Sequence, residues 1–223
     1  METKDINTMT TSETSGEKNN FYIPINVSQK HKTFLWVWAK TGTSHMVEVL
    51  KDFDFDQYGI TDTGLIFLNK GLQQIHLCSL FPGHENYKMM VSARNPYSRF
   101  FSFYRHSHRG FYQDMTIDGF QEFLENTIVG YGTHDCVTFS ERFPDYYVRV
   151  ESMFEDYCKI PFIIESELYK SGDLELLCKK KINYDGDNHF WKDFYNPSLA
   201  DLVYYNTQEY FRFFGYERAS WKK

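Results

Sequence analysis

The chain has 223 residues, a formal net charge of −6 and 19% aromatic residues, with 21 Phe and 17 Tyr. That length suits one domain with a substantial core, and the acidic balance argues against a general nucleic-acid or anionic-membrane surface while leaving room for a local basic pocket. No stretch approaches the ~20 apolar residues of a spanning helix. The widely spaced Cys78, Cys136, Cys158 and Cys178 contain no CxxC pair, so they read as reduced thiols rather than a zinc ribbon, with a disulfide left open.

Residues 1–20 are rich in Thr, Ser, Glu, Lys and Asn and lack an apolar h-region. They read as a disordered tail, not a signal peptide, followed by a single domain over 21–223. Phe21 to Ile25 is apolar enough to pack on that domain. Thr33 to Trp38 is short, β-branched and aromatic, which predicts a buried strand. Met46, Val49, Leu50 and Phe53 then recur at i, i+3, i+4 and i+7, one face of a helix. Between strand and helix stand Lys40-Thr41-Gly42-Thr43-Ser44. A strand-to-helix loop presents unpaired backbone N–H groups, and the helix dipole adds partial positive charge. Gly42 allows close backbone approach, Thr43 and Ser44 add hydroxyls, and Lys40 adds a full charge. The combination predicts an oxyanion cradle for phosphate or sulfate. It is not a Walker A loop, because Lys40 precedes the only glycine and no Ser or Thr follows a Gly-Lys pair. No apolar strand ends in a Walker B aspartate either, so the cradle is expected to work without a metal.

Gly64 to Leu68 predicts a strand, and Gln74 to Leu77 a short strand or helix edge. Tyr87 to Ala93 reads as a core strand running into Arg94-Asn95-Pro96-Tyr97-Ser98-Arg99. Pro96 suits a first helical turn, and a helix is expected over 96–107. Arg94, just outside it, offers a planar fork of donors to a phosphate, and Ser102 offers one more hydrogen bond. Arg99 is read as structural. Residues 108–140 are polar and rich in Gly and His, with a helix near 117–126, and suit a lid or substrate wall. Strands are expected at 146–150 and at Phe162-Ile163-Ile164, a helix over 173–181 and a loop over 182–197. Arg149 and Glu151 share a strand face, where they would pair or organise the site. The last helix is expected from Ser198, with Asp201 completing a capping-box-like pair and Gly215 ending it. The alternation of strands and helices predicts a three-layer α/β fold with a mostly parallel central sheet flanked by helices.

Lys40-Thr41-Gly42-Thr43-Ser44 and Arg94-Asn95-Pro96-Tyr97-Ser98-Arg99 with Ser102 resemble two elements of the sulfotransferase superfamily that uses 3′-phosphoadenosine 5′-phosphosulfate (PAPS). There the 5′-phosphosulfate loop reads Lys-x-Gly-Thr-Thr/Ser after the first strand. The 3′-phosphate element reads Arg-Asn/Asp-Pro-x-x-Arg, with a serine eight residues after the first arginine. Tyr146 to Glu151 with Glu155-Asp156, and the ending from Tyr204-Tyr205 to Phe214-Gly215-Tyr216, resemble the carbohydrate-type branches. The Arg-Lys-Gly element of the cytosolic small-molecule branch is absent, which points the same way. The matches run in order over about residues 33–216.

The resemblance implies a P-loop-like fold and metal-independent, in-line transfer of a sulfuryl group from PAPS to an acceptor hydroxyl, with a saccharide or glycolipid as the expected acceptor. Adenosine 3′,5′-bisphosphate is then the product. Lys40 would stabilise charge at the bridging oxygen. Lys40, Thr41, Gly42, Thr43, Ser44 and His45 would surround the 5′-phosphosulfate, and Arg94 and Ser102 would hold the 3′-phosphate. The acceptor hydroxyl needs a general base, for which His76 is the first choice. His106, His108, Glu48, Glu85 and Glu151 stay open, and His84 reads as a turn residue. The resemblance and the lack of an apolar anchor suggest a soluble cytoplasmic enzyme of bacterial or viral origin. Two other readings stand beside it. One is a nucleotide kinase or other phosphotransferase of P-loop type, which would need magnesium. The other is a non-catalytic protein that binds PAPS or its product.

Overall fold

The computed structural model describes residues 25–37, 40–51, 53–58, 86–108, 114–131, 144–180 and 191–222. Among them the strands are β1 (Ile25–Ser28), β2 (Thr33–Trp36), β3 (Phe55–Tyr58), β4 (Lys88–Ala93) and β5 (Tyr146–Arg149). The α-helices are α1 (Thr43–Leu50), α2 (Pro96–Ser107), α3 (Ile117–Tyr131), α4 (Met153–Tyr157), α5 (Pro161–Ile164), α6 (Glu167–Lys170), α7 (Asp173–Lys179) and α8 (Pro197–Phe214).

The strands form one sheet in the order β3-β1-β2-β4-β5. β2 pairs in parallel with β4, and β4 with β5. β1 is antiparallel to both β2 and β3. β3 therefore points the same way as β2, and β1 alone runs against the other four. Parallel neighbours need long crossovers. The chain passes through α1 between β2 and β4, and through α2 and α3 between β4 and β5.

Side chains on β4 alternate between two helical layers, as the two-residue period of a strand requires. Met90 packs with Leu35 and Val148 against Met46 and Val49 of α1, Met153 of α4 and Leu174 of α7. Met89, Val91 and Ala93 turn to the opposite face, against Tyr210 and Phe214 of α8. Helices thus cover both faces of the sheet, and β4 presents apolar side chains to both. A third cluster joins α2, α3 and α8 through aromatic rings. Tyr97 meets Tyr195 edge-on at 5.2 Å and Phe211 at 5.1 Å, an arrangement the ring quadrupoles favour. No helix among the described residues is long and apolar enough to cross a membrane.

Several local expectations change. Phe162-Ile163-Ile164, expected as a strand, belongs to α5. Pro161 occupies the first turn and Ile163 is carried into the core, so proline at the N-terminus outweighs β-branched composition. The last helix begins at Pro197, and its cap is Asn196, whose side chain accepts from Leu199 N–H at 2.9 Å. A 3₁₀ turn at Trp191–Phe194 lies within the expected loop, and α3 extends to Tyr131. β1 and β3 appear where no strand is expected. The tail 1–20 and the strand segments 64–68 and 74–77 lie outside the described residues.

Candidate anion site at two strand–helix junctions

β2 and β4 are adjacent and parallel, so their C-terminal ends lie side by side and each feeds a helix. The first junction is the loop before α1. Gly42 caps that helix at φ 81°, in the left-handed region. Its carbonyl accepts from the N–H groups of His45 and Met46, both at 3.0 Å. A Cβ at this position would stand 2.8 Å from Met153 Cε and 3.1 Å from Val150 Cγ2. The left-handed φ favours glycine here, and a Cβ would also crowd the Met153 and Val150 side chains. Lys40 also adopts a left-handed φ, of 63°. A non-glycine residue in that region is strained, and such strain collects where a structure needs a particular backbone shape.

The loop's side chains divide. The Thr41 hydroxyl is fully buried and hydrogen bonds to the Ser92 hydroxyl on β4, so it anchors the loop to the sheet. Lys40, Gly42 and Thr43 are half-buried, and Ser44 is exposed. His45 is 8% exposed, and its Nε2 is buried without a hydrogen-bond partner among the described residues. Burial lowers the pKa of this imidazole, against a smaller opposing pull from Glu48. His45 is therefore a neutral side chain near neutral pH, at the first turn of the helix.

The second junction leads from β4 into α2. Asn95 is the N-cap, its Oδ1 accepting from Tyr97 N–H at 3.0 Å, and Pro96 takes the first helical position. Arg94 precedes them and reaches back across the sheet ends. Its Nη1 donates to the carbonyl of Lys40 at 3.2 Å, and its Nε donates to Ser98 Oγ at 3.0 Å. Burial pulls the Arg94 pKa below its ordinary value, while the charge of Glu151 pulls it back. Its hydrogen bonds go to neutral acceptors only, and it forms no ion pair within the described residues. A guanidinium keeps its charge at neutral pH, so this is a half-buried cation, hydrogen-bonded to neutral partners with the Glu151 charge nearby, that can donate to an incoming anion.

Ser98, not among the expected phosphate ligands, is four residues after Arg94 and four before Ser102. That spacing puts Ser98 and Ser102 on one face of α2, where Ser98 Oγ accepts from Arg94 Nε, and the spacing from Ser102 in the sequence is the clue that identifies it. Ser102 is half-buried. Arg99 is buried and stacks over Phe103 and Tyr210, at 5.6 and 5.9 Å from the ring centres, consistent with the structural role expected of it.

The candidates for a general base are scattered. His76 and Glu85 lie outside the described residues. Glu48 is engaged with Lys51 on the surface of α1 at 2.9 Å. His106 is exposed, and His108 Nδ1 is tied to the Tyr104 carbonyl at 3.0 Å. Glu151 accepts from Asn95 N–H and Tyr216 Oη, both at 2.9 Å. Arg149 does not pair with Glu151. It makes a fork to Asp156, at 2.8 and 2.9 Å, and Lys159 completes the set at 2.6 Å. The strand ends at Arg149, so Glu151 falls in the 3₁₀ turn Val150–Ser152 rather than on the same strand face, and α4 brings Asp156 to the Arg149 guanidinium instead. Among the described residues no group of three or more His, Cys, Asp or Glu could hold a metal ion.

Lys40, Thr41 and Gly42 form the loop, Thr43, Ser44 and His45 the first turn of α1, and a direct hydrogen bond links the Lys40 carbonyl to Arg94. No family model, curated protein or solved structure shows significant similarity to this chain.

Proposed function

We propose that the chain is a sulfotransferase that moves a sulfuryl group from PAPS to an acceptor hydroxyl, with a saccharide or glycolipid as the acceptor class. The observation that carries this reading is Arg94. Its guanidinium, hydrogen-bonded to the carbonyl of Lys40, links the two candidate anion-binding elements at adjacent strand ends. A donor with phosphate groups at both ends of its ribose suits such a pair, and the motif order supports the same donor.

In this reading Arg94 and Ser102 grip the 3′-phosphate, and the loop from Lys40 to His45 surrounds the 5′ end. Gly42 keeps the backbone free of a Cβ. The acceptor oxygen bonds to sulfur as the bridging S–O bond breaks. The acceptor's proton passes to a general base, for which His76 remains the first choice. The electron pair leaves with the phosphate, where the Lys40 ammonium stabilises it. The fold is P-loop-like in this reading, with the lysine ahead of the glycine.

The test is incubation with radiolabelled PAPS and a panel of glycans, glycolipids, peptides and phenols in excess chelator. Label transfer under those conditions supports the reading. Transfer that appears only with a nucleoside triphosphate and magnesium replaces it with a phosphotransferase. Tight binding of adenosine 3′,5′-bisphosphate with no transfer to any acceptor replaces it with a binding protein.

A further inference from the structure

We propose that Glu151 and Tyr210 are positioning residues for Arg94 and so set how strongly the site recognises a 3′-phosphate; this deepens the sulfate-donor reading and rests on it. Arg94 stands before the first turn of α2, so neither its own N–H nor that of Asn95 enters the helical ladder. Both are captured from elsewhere in the fold. The Arg94 N–H donates to Tyr210 Oη at 3.1 Å, and the Asn95 N–H donates to Glu151 Oε1 at 2.9 Å. These two amides flank the Arg94 Cα. Fixing both peptide planes fixes the backbone dihedrals between them, and with them the direction in which the guanidinium leaves the chain.

Each clamp is itself held. Tyr210 is 2% exposed, with its ring 4.5 Å from that of Phe214. It follows a kink in α8 at Thr207, whose hydroxyl donates to the Val203 carbonyl at 2.7 Å. The second oxygen of Glu151 accepts from Tyr216 Oη at 2.9 Å. Burial and the nearby Glu151 charge raise the Tyr216 pKa, so its hydroxyl remains a donor. Farther along, Ser220 Oγ accepts from Asn95 Nδ2 at 2.8 Å, and the Arg218 carbonyl accepts from Tyr97 Oη at 2.7 Å. The segment from Tyr210 to Ser220 therefore closes over the junction.

The same bonds use up donors of α2. Glu151 takes the Asn95 N–H, the Asn95 side chain takes the Tyr97 N–H, and Pro96 has none. An anion at this end must be gripped mainly by side chains, so recognition depends on where Arg94 points.

The experiment is calorimetric titration of adenosine 3′,5′-bisphosphate and of adenosine 5′-phosphate into wild type, Tyr210→Phe, Glu151→Ala and Glu151→Gln, each shown to be folded by circular dichroism. Wild type is expected to prefer the bisphosphate. Tyr210→Phe and Glu151→Ala are each expected to reduce that preference by about tenfold with affinity for the 5′-phosphate retained. Glu151→Gln, which keeps an acceptor for Asn95 and removes the charge, is expected to restore the preference. If both variants keep the wild-type ratio, or lose affinity equally for both nucleotides, the positioning role is wrong while the donor reading stands. If wild type shows no preference, the donor reading fails and this inference with it. Should Glu151→Ala not fold, Tyr210→Phe decides the matter alone.

Discussion

Arg94 donates from Nη1 to the backbone carbonyl of Lys40 across 3.2 Å. Two motifs that read in the sequence as separate anion pockets are thus in direct contact. The carbonyl belongs to a residue held at φ 63°, so the guanidinium also braces the strained turn of the loop.

Replacing Lys40 separates charge from strain. Lys40→Ala is expected to raise the transfer barrier by on the order of 3–4 kcal/mol, as loss of a donor to developing charge does elsewhere. Lys40→Gly loses the same charge but is free of the left-handed penalty of ~1–2 kcal/mol that Ala retains. Both variants should lose about 10²–10³-fold in turnover, with Lys40→Gly melting no lower than Lys40→Ala. Near-normal turnover of folded Lys40→Ala would remove this residue from the chemistry.

Arg94→Lys keeps a charge and loses the planar fork. It cannot serve Ser98 and the Lys40 carbonyl while also meeting a phosphate, because an ammonium lacks that donor geometry. The ratio of KM for PAPS to KM for its analogue without the 3′-phosphate should move toward one, with a loss of about tenfold or more, since bonds to charged groups contribute ~1.5–3 kcal/mol. An unchanged ratio in Arg94→Lys and Arg94→Ala would reassign the residue.

Tyr157 presents the opposite case. Its ring is fully buried, and its hydroxyl has no hydrogen-bond partner among the described residues. An unmet buried polar group costs ~1–3 kcal/mol. Tyr157→Phe keeps the ring and removes that cost, so the melting temperature should stay level or rise by a few degrees, at ~2–4 °C per kcal/mol for a chain of this size. A clear fall would mean that the hydroxyl is satisfied in solution.

Acid should weaken the fold through His45. Burial lowers its folded pKa below the ordinary 6.5. The neutral imidazole is favoured in the fold, whereas the unfolded chain protonates at the ordinary value. The contribution is fully present above 6.5 and is lost as the pH falls from there through the folded pKa. Urea unfolding of wild type and His45→Leu at several pH values between 8 and 5 reads this directly. The gap between the two should narrow or reverse on acidification, and a constant gap would contradict it.

Much of the frame was legible because it follows local rules. Thr33 to Trp36, Lys88 to Ala93 and α1 show the apolar periods of their elements, and Pro96 and Gly42 mark helix starts. β1 and β3 were not, because the alternation of Ile25-Asn26-Val27-Ser28 lasts only four residues and Phe55-Asp56-Gln57-Tyr58 does not alternate at all. The site divides in the same way. Lys40, Gly42 and Arg94 stand out by type and spacing. Ser92 and Tyr210 do not, because their partners Thr41 and Arg94 lie 51 and 116 positions away and only the fold brings them together. Arg149 offered two acids at short range, and only the helix after β5 shows that Asp156 is the one it holds.

The contact from Arg94 to Lys40 joins positions 54 apart in the chain, and the pairing that sets it up, β2 with β4, spans a similar loop. Closing such loops costs entropy before any contact repays it, which slows the search for the native arrangement. The β1–β2 hairpin can zip early, but the anion site is built from the distant pairing. On dilution from urea, intrinsic fluorescence should recover ahead of nucleotide binding, and the capacity to bind adenosine 3′,5′-bisphosphate should return with the slowest kinetic phase.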